Sequence, residues 1–324
     1  YSQACMSWSL STKEGKLLPP LKFSNGKTQE NIVNELIDAI KEGHKIIFLH
    51  GICGTGKSAI ALNLAKELGR ASIVVPVKYL QKQYEEDYTN KFIIKRKNKP
   101  LSIAILTGRN NHPCLYNPDT NADDHLLPCS ISIQKENIDL LKTFIRNNPF
   151  VKEKDFETID DIRRFSVAPA CPYWSPILPK ETFSNYPLTD AAQHDYQGLN
   201  NKTFTIFQRK PGCSYYQQFH AYKDADVIIF NSKKYELENM MDRKPATDIE
   251  IIDECDEFLD NLGNERKINL SFLEYKLSVL IEQCKEASLK PLLKELHVMV
   301  SSLLSSRWLG EMKKNREILK IQDT

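Results

Sequence analysis

The sequence predicts an α/β fold: a parallel sheet flanked by helices, interrupted by a long irregular insertion and followed by a helical segment. Three observations predict it. An apolar run, 46–49, enters the glycine-rich loop Gly51-Ile52-Cys53-Gly54-Thr55-Gly56-Lys57-Ser58, and a helical pattern leaves it. Short apolar runs of strand length then alternate with helical periodicity, the grammar of a parallel sheet with crossover helices. A last apolar run, 249–252, ends in Asp253-Glu254.

Residues 1–22 lack periodicity, contain Pro19-Pro20, and read as an arm. The first part of the sheet domain spans 23–107. Within it, 31–42 is helical by the spacing of Ile32, Val33, Leu36, Ile37 and Ile40, and Gly43 ends it. Strand 46–49, helix 59–68, strand 72–76, helix 78–87 and strand 103–106 follow. From 108 to 218 order breaks down: Pro, Asn, Asp and Cys accumulate, with one helical patch at 138–146. A structureless loop of that length is improbable in a compact domain, so an insertion subdomain with its own staple is expected. The sheet resumes over 219–262, with strands at 225–230 and 249–253. A helical segment occupies 263–324, amphipathic across 272–319.

The 324 residues allow two domains, or one with a large insertion. A hydrophobic fraction of 41% with 27% charged residues is that of a globular chain, not a membrane protein. No apolar run approaches the roughly 18 residues of a membrane span, and no signal peptide is visible. An intracellular location, in cytoplasm or nucleus, is the expectation, with no membrane partner and a monomeric state. The net charge of +2 decides nothing about nucleic acid, but 91–99 holds five cations and no acid. A run of that kind is either a solvated hairpin or a phosphate-binding stripe.

The glycine-rich loop carries the clearest chemistry. Phosphate binding needs backbone N–H groups aimed inward at a helix N-terminus, and Gly51, Gly54 and Gly56 let the chain curl that tightly. Thr55 completes the loop, Lys57 neutralises the β- and γ-phosphates, and Ser58 suits Mg²⁺. Asp253, at the carboxyl end of its strand, suits the water shell of the same ion, and Glu254 the activation of the attacking water. ATP and Mg²⁺ are the cofactors so implied.

Eight cysteines are present. Without an export signal, disulfides are not expected. Cys53 and Cys255 lie in the two nucleotide motifs; Cys5 and Cys284 lie apart. Cys114, Cys129, Cys171 and Cys213 fall in the irregular insertion. None belongs to a C-x-x-C knuckle, which disfavours a zinc ribbon, and four thiolates suit either Zn²⁺ or an iron–sulfur cluster. Pro113, Pro128, Pro172 and Gly212 beside them mark tight turns that present ligands. For single-stranded nucleic acid, which needs cations and stacking aromatics, the candidates are Lys91, Lys95, Arg96 and Lys97 with Tyr173, Trp174, Tyr215 and Tyr216. Packing around the cysteines competes for those aromatics, and Arg109 either faces phosphate or shields the cysteine charge.

The P-loop, then residues 73–87 (IVVPVKYLQKQYEED), Thr107-Gly108-Arg109-Asn110-Asn111-His112-Pro113-Cys114, Cys171-Pro172-Tyr173-Trp174, Pro211-Gly212-Cys213-Ser214-Tyr215-Tyr216 and Asp224-Ala225-Asp226-Val227-Ile228-Ile229 resemble, in that order, the XPD/DinG group of superfamily 2 iron–sulfur DNA helicases. The resemblance covers about 23–260. It implies a RecA-like first motor domain and a [4Fe–4S] cluster on Cys114, Cys129, Cys171 and Cys213. It further implies single-stranded DNA as partner, an adenine-reading role for Gln29, and the start of a helical Arch domain after the Asp-Glu box. Asp256 stands where that group has histidine. The chain ends soon after the box, so a second motor domain with its arginine finger is expected to be missing. Hydrolysis by this chain alone should then be weak, since such an arginine contributes roughly 10³–10⁵ in rate. An ATP-dependent DNA helicase is the first reading, a nucleotide-gated DNA-binding regulatory module the second. A zinc-stapled P-loop transferase is the third, and the Asp-Glu box counts against it.

Overall fold

The computed structural model describes residues 7–306 apart from 53, 153–155, 157, 184–186, 262–269, 285 and 287. Cys5, Cys53 and the stretch 307–319 of the expected helical segment therefore lie outside the described residues. The main elements are α1 (Gln29–Lys41), α2 (Lys57–Leu68), β1 (Ala71–Val75), α3 (Lys78–Glu85), β2 (Ile103–Ile105), α4 (Ile138–Arg146), β3 (Ile177–Pro179), β4 (Ala192–Gln197), β5 (Thr203–Gln208), β6 (Val227–Asn231), α5 (Ser232–Met240), β7 (Ile249–Ile252), α6 (Cys255–Asn261), α7 (Leu270–Gln283) and α8 (Leu289–Ser305). Two compact units divide between Leu259 and Asp260.

Within the first unit, β7, β1, β6 and β2 form one four-stranded sheet in that order, parallel throughout. Strands β1 and β6 are interior and read as near-continuous apolar runs, broken by Ser72 in β1 and ended by Asn231 in β6, as buried parallel strands do. Alternate residues face opposite layers. Ile73, Val75, Val227 and Ile229 pack with Ala61, Leu62 and Ala65 of α2 and Tyr84 of α3. Ile228 and Phe230 pack on the other side with Tyr196, Phe204, Ile206, Phe219 and Tyr222. The second layer thus comes in large part from the insertion, whose β3, β5 and β4 make an antiparallel sheet, with Phe219 and Tyr222 just beyond it.

That antiparallel sheet corrects the expectation of an irregular 108–218. Its β4–β5 hairpin turns at Asn200 and Asn201, both at positive φ (52° and 58°). Asparagine tolerates that region, and two such residues between strands match the twist of a hairpin. The insertion also has its own core of Ile131, Leu141, Phe144, Ile145, Ile162 and Val167 around α4.

A second correction concerns 46–49. The run is not a strand: Ile46 is 77% and Phe48 75% exposed, and residues 45–50 make no ladder to the sheet. A strand needs a neighbour to satisfy its N–H and C=O groups, and among the described residues none lies alongside. The helix expected at 78–87 ends at Glu85 and passes into a π-helical turn, Glu86–Lys91.

The basic run is a hairpin, Lys95–Arg96 against Lys99–Pro100, turned by Lys97 and Asn98 at positive φ. Arg96 points inward. Its guanidinium donates to the carbonyls of Ala65 (2.7 Å), Lys66 (2.9 Å) and Gly69 (2.6 Å) at the C-terminal end of α2, and pairs with Asp226 at 2.8 Å. This cap accounts for Arg96 and corrects its candidacy for nucleic acid. Lys91 pairs with Asp87 at the surface, at 2.9 Å.

In the second unit, α7 and α8 pair, with Leu277 and Val300 buried and Ser301 Oγ donating to Glu274 at 2.5 Å. None of the described helices is long and apolar enough to cross a membrane.

Arg96→Ala removes charge-assisted bonds from a helix end, so it should lower the unfolding free energy by roughly 2 kcal/mol. Lys91→Ala, which breaks an exposed pair, should cost less than about 0.5 kcal/mol. Urea unfolding of both variants checks the contrast.

Candidate functional site: a phosphate loop beside an acidic strand end

The loop 51–56 delivers its backbone to the start of α2. Gly54 and Gly56 adopt φ of +82° and +72°, which aim successive N–H groups to one side at little steric cost. Gly56 is the N-cap of α2, whose first residues are Lys57 and Ser58. Thr55 Oγ1 donates to the Ile52 carbonyl at 2.8 Å and braces the turn. Gln29, buried at the start of α1, accepts from Leu21 N at 2.9 Å and donates to the Thr55 carbonyl at 3.0 Å. Its amide therefore buttresses the loop backbone. A Cβ at Gly56 would collide with Gln29 Nε2.

The acidic pair arrives from β7. Asp253 N donates to the Val74 carbonyl at 2.9 Å, extending the β1–β7 ladder by one residue. Glu254 then takes a positive φ of 51°, a conformation that costs a non-glycine residue roughly 1 kcal/mol or more. The turn sets Glu254 Oε1 3.7 Å from Lys57 Nζ, which also donates to the Gly51 carbonyl at 3.0 Å. Lys57, Asp253 and Glu254 thus share one end of the sheet, and Ser58 follows Lys57 in the first turn of α2. The Tyr84 hydroxyl donates to Asp253 Oδ2 at 3.0 Å. Burial first, and then the charge of Asp253, pushes the Tyr84 phenol well above its ordinary pKa, so it remains a donor. Sequence reasoning missed Tyr84, because Leu80 and Tyr84 at i, i+4 read only as the buried stripe of α3. Asp256 is exposed on α6.

The four insertion cysteines come from separate turns. Cys171, Cys213 and the half-buried Cys129 belong to one apolar cluster with Trp174, Tyr216, Phe207 and Leu188. Cys114 is buried and near enough to add to the electrostatics of Cys171 and Cys213. Two of the four sulfurs accept from an N–H donor among the described residues. Asn117 N reaches Cys114 Sγ at 3.4 Å and Arg109 Nη1 reaches Cys129 Sγ at 3.4 Å. Burial, then the neighbouring thiols, pushes Cys171 up to about 12. Among the described residues no group of three or more His, Cys, Asp or Glu is drawn together around a single-ion position.

Of the aromatic candidates, Trp174 and Tyr216 are core residues. Tyr173 and Tyr215 are half-buried, and each carries a cation over its ring: Lys210 at 5.2 Å and Arg109 at 4.3 Å.

Residues 22–159 match the family model of the type III restriction enzyme, res subunit. The chain is accordingly similar to helicase-like superfamily 2 motor domains, ATP-dependent enzymes that act on nucleic acid. The match takes in Gln29, the P-loop, Tyr84 and the first two insertion cysteines, and ends before Cys171 and Asp253. No curated protein and no solved structure matches the chain.

The two left-handed loop glycines should respond differently to alanine. Gly54→Ala meets open space and should cost about 1 kcal/mol of backbone strain. Gly56→Ala adds a collision with Gln29, so ATP affinity should fall more than about tenfold and stability further than for Gly54→Ala. Nucleotide titrations and denaturant midpoints of the pair test this.

Proposed function

We propose that residues 23–259 form the first motor domain of an ATP-driven DNA helicase of the iron–sulfur type, engaging single-stranded DNA. For the nucleotide half, the support is the convergence of the P-loop, Ser58, Asp253 and Glu254 at one sheet end, together with the helicase-like match. Lys57 supplies the counter-charge to the β- and γ-phosphates. Ser58 would ligate Mg²⁺, and Asp253 would hold its water shell. Glu254, set apart by its left-handed backbone, would accept the proton of the attacking water.

The observation that carries the iron–sulfur half is the gathering of Cys129, Cys171 and Cys213 in one apolar cluster, with Cys114 buried and N–H donors on Cys114 and Cys129. Such donors lower the cost of a buried thiolate and are the outer-shell pattern of sulfur ligands. A single Zn²⁺ would need all four sulfurs within about 2.3 Å of one point, whereas a four-iron cluster accepts them further apart. With Cys171 raised to about 12, ligation there must displace a proton. Bound, the cluster would supply a cross-link between four turns, and Arg109 and Arg164 near Cys129 offset its negative charge.

Protein purified without oxygen should be brown and contain about four irons and four sulfides per chain. Changing any of Cys114, Cys129, Cys171 or Cys213 to Ser should abolish the iron, while Cys255→Ser and Cys284→Ser should retain it. Stoichiometric zinc in place of iron would defeat the iron–sulfur half and leave the nucleotide half standing. Lys57→Ala should abolish ATP–Mg²⁺ binding in either case.

A further inference from the structure

A glutamine that reads adenine must offer both ends of its amide, the oxygen to the N6 amino group and the nitrogen to N7. Gln29 has neither end to offer. Its Oε1 accepts from Leu21 N at 2.9 Å, and its Nε2 donates to the Thr55 carbonyl at 3.0 Å and the Gly56 carbonyl at 3.5 Å. An amide nitrogen carries two hydrogens, so both are engaged by the loop. The backbone closes the clasp, since Gln29 N donates to the Leu21 carbonyl at 3.0 Å. A capping box of Thr28 and Asn31 fixes the same helix start, and Gln29 is only 3% exposed. The side chain standing open beside it is Leu21, 54% exposed, whose Cδ1 lies 4.0 Å from the position of a Cβ on Gly56. An apolar side chain touches any base and distinguishes none of their hydrogen-bonding edges.

We propose that the site takes nucleoside triphosphates by their phosphates without selecting the base, and that Gln29 is a positioning residue for the loop instead of an adenine reader. ATP is then one of several nucleotides the site accepts. The effect of Gln29 passes through one peptide plane. In a trans peptide the C=O and the N–H point opposite ways, so a Thr55 carbonyl held toward Gln29 aims the N–H of Gly56 away from it, to the loop's other side. The inference rests on the nucleotide half of the proposed function and is independent of the cysteines.

The test is competition. ATP, GTP, CTP, UTP and inorganic tripolyphosphate, each with Mg²⁺, displace a fluorescent ATP analogue from wild type, Gln29→Ala, Gln29→Glu and Asn31→Ala, and thermal unfolding is recorded for each protein. Wild type should bind the four nucleotides within about threefold of one another. A base-reading site would prefer its own base by about tenfold or more, because the wrong edge leaves its buried groups unpaired. Gln29→Ala should weaken all five ligands by one common factor, about fivefold, for the lost hydrogen bond to the loop. Gln29→Glu keeps the acceptor for Leu21 but sets an oxygen against the Thr55 carbonyl, and should weaken all five at least as far. Asn31→Ala opens the capping box with Thr28; it should lower the thermal midpoint and leave all five affinities unchanged. A wild-type preference for ATP above about tenfold would overturn the inference, with no variant needed, and its loss in Gln29→Ala would assign the adenine to Gln29. Unchanged affinities in both Gln29 variants, or an equal loss in Asn31→Ala, would overturn the positioning role. Wild type that binds neither the analogue nor any of the five would remove the nucleotide reading itself, and this inference with it.

Discussion

The parallel ladder between β1 and β7 sets the height at which Asp253 leaves the sheet, and the geometry of the site follows from that height. Val74 accepts from Asp253 N at 2.9 Å, so the carboxylate emerges one residue past the paired strand. There it meets the phenol of Tyr84, which belongs to the layer beneath. A slip of one residue would turn Asp253 to the opposite face, because side chains alternate along a strand. Glu254 would then lose its approach to Lys57. The positive φ of Glu254 is the local cost of turning the second carboxylate toward the loop rather than continuing the strand.

Helix α3 joins this end of the sheet to the cysteine-bearing insertion. One turn before Tyr84, the buried Gln81 donates to the Leu106 carbonyl at 2.8 Å, just past β2. The next residue, Thr107, accepts and donates through the amide of Gln218, and its hydroxyl bonds His112 at 2.8 Å. The other ring nitrogen of His112 bonds Ser214 at 2.9 Å, and Ser214 follows Cys213. Gln81, Leu106, Thr107, His112 and Gln218 are buried or half-buried, where a missing partner costs about 1–3 kcal/mol, and Ser214 is exposed. The strand end and the cysteine turns are therefore held as one body. The second layer of the sheet is itself made in large part by the insertion, which is why the two pack as a single unit.

What the sequence made legible follows from where its information is local. The P-loop, α4 and the apolar strands β1, β6 and β7 rest on glycine placement and periodicity within a few residues, and they were readable. The segment 46–49 misled because an apolar run signals burial, while strand formation depends on a partner that the run itself does not specify. Arg96 misled for the reverse reason: a cation in a basic cluster reads as surface, yet three carbonyls at the end of α2 and Asp226 needed it. Helix α5 was missed since its buried face carries Glu238. That carboxylate is buried only because Arg243 (2.6 Å) and Lys234 (2.9 Å) pair with it, and no periodicity records such compensation. The β4–β5 hairpin did leave a signal, Asn200-Asn201 between alternating residues, that composition alone had masked.

The insertion was expected to depend on its staple, for want of apolar sequence. The packing argues otherwise. Around α4, six buried apolar residues close a core that includes none of the cysteines, and the β3–β5–β4 sheet is seated against β6 through Phe204, Ile206 and Phe230. Burial on that scale gives roughly 1.5–3 kcal/mol for each large side chain, enough to keep these parts folded whether or not the sulfurs are cross-linked. The turns that carry Cys171 and Cys213 are different, for beside them lie a 3₁₀ turn and a single-turn helix, and their apolar cluster counts the cysteines among its own members. Ligation would therefore order the turns rather than create the subdomain. Those turns include Tyr215, over which Arg109 lies at 4.3 Å, and they connect through Ser214 and His112 to the end of β2. A change at the sulfurs would be felt first at that strand end, close to α3, and only later in the core around α4.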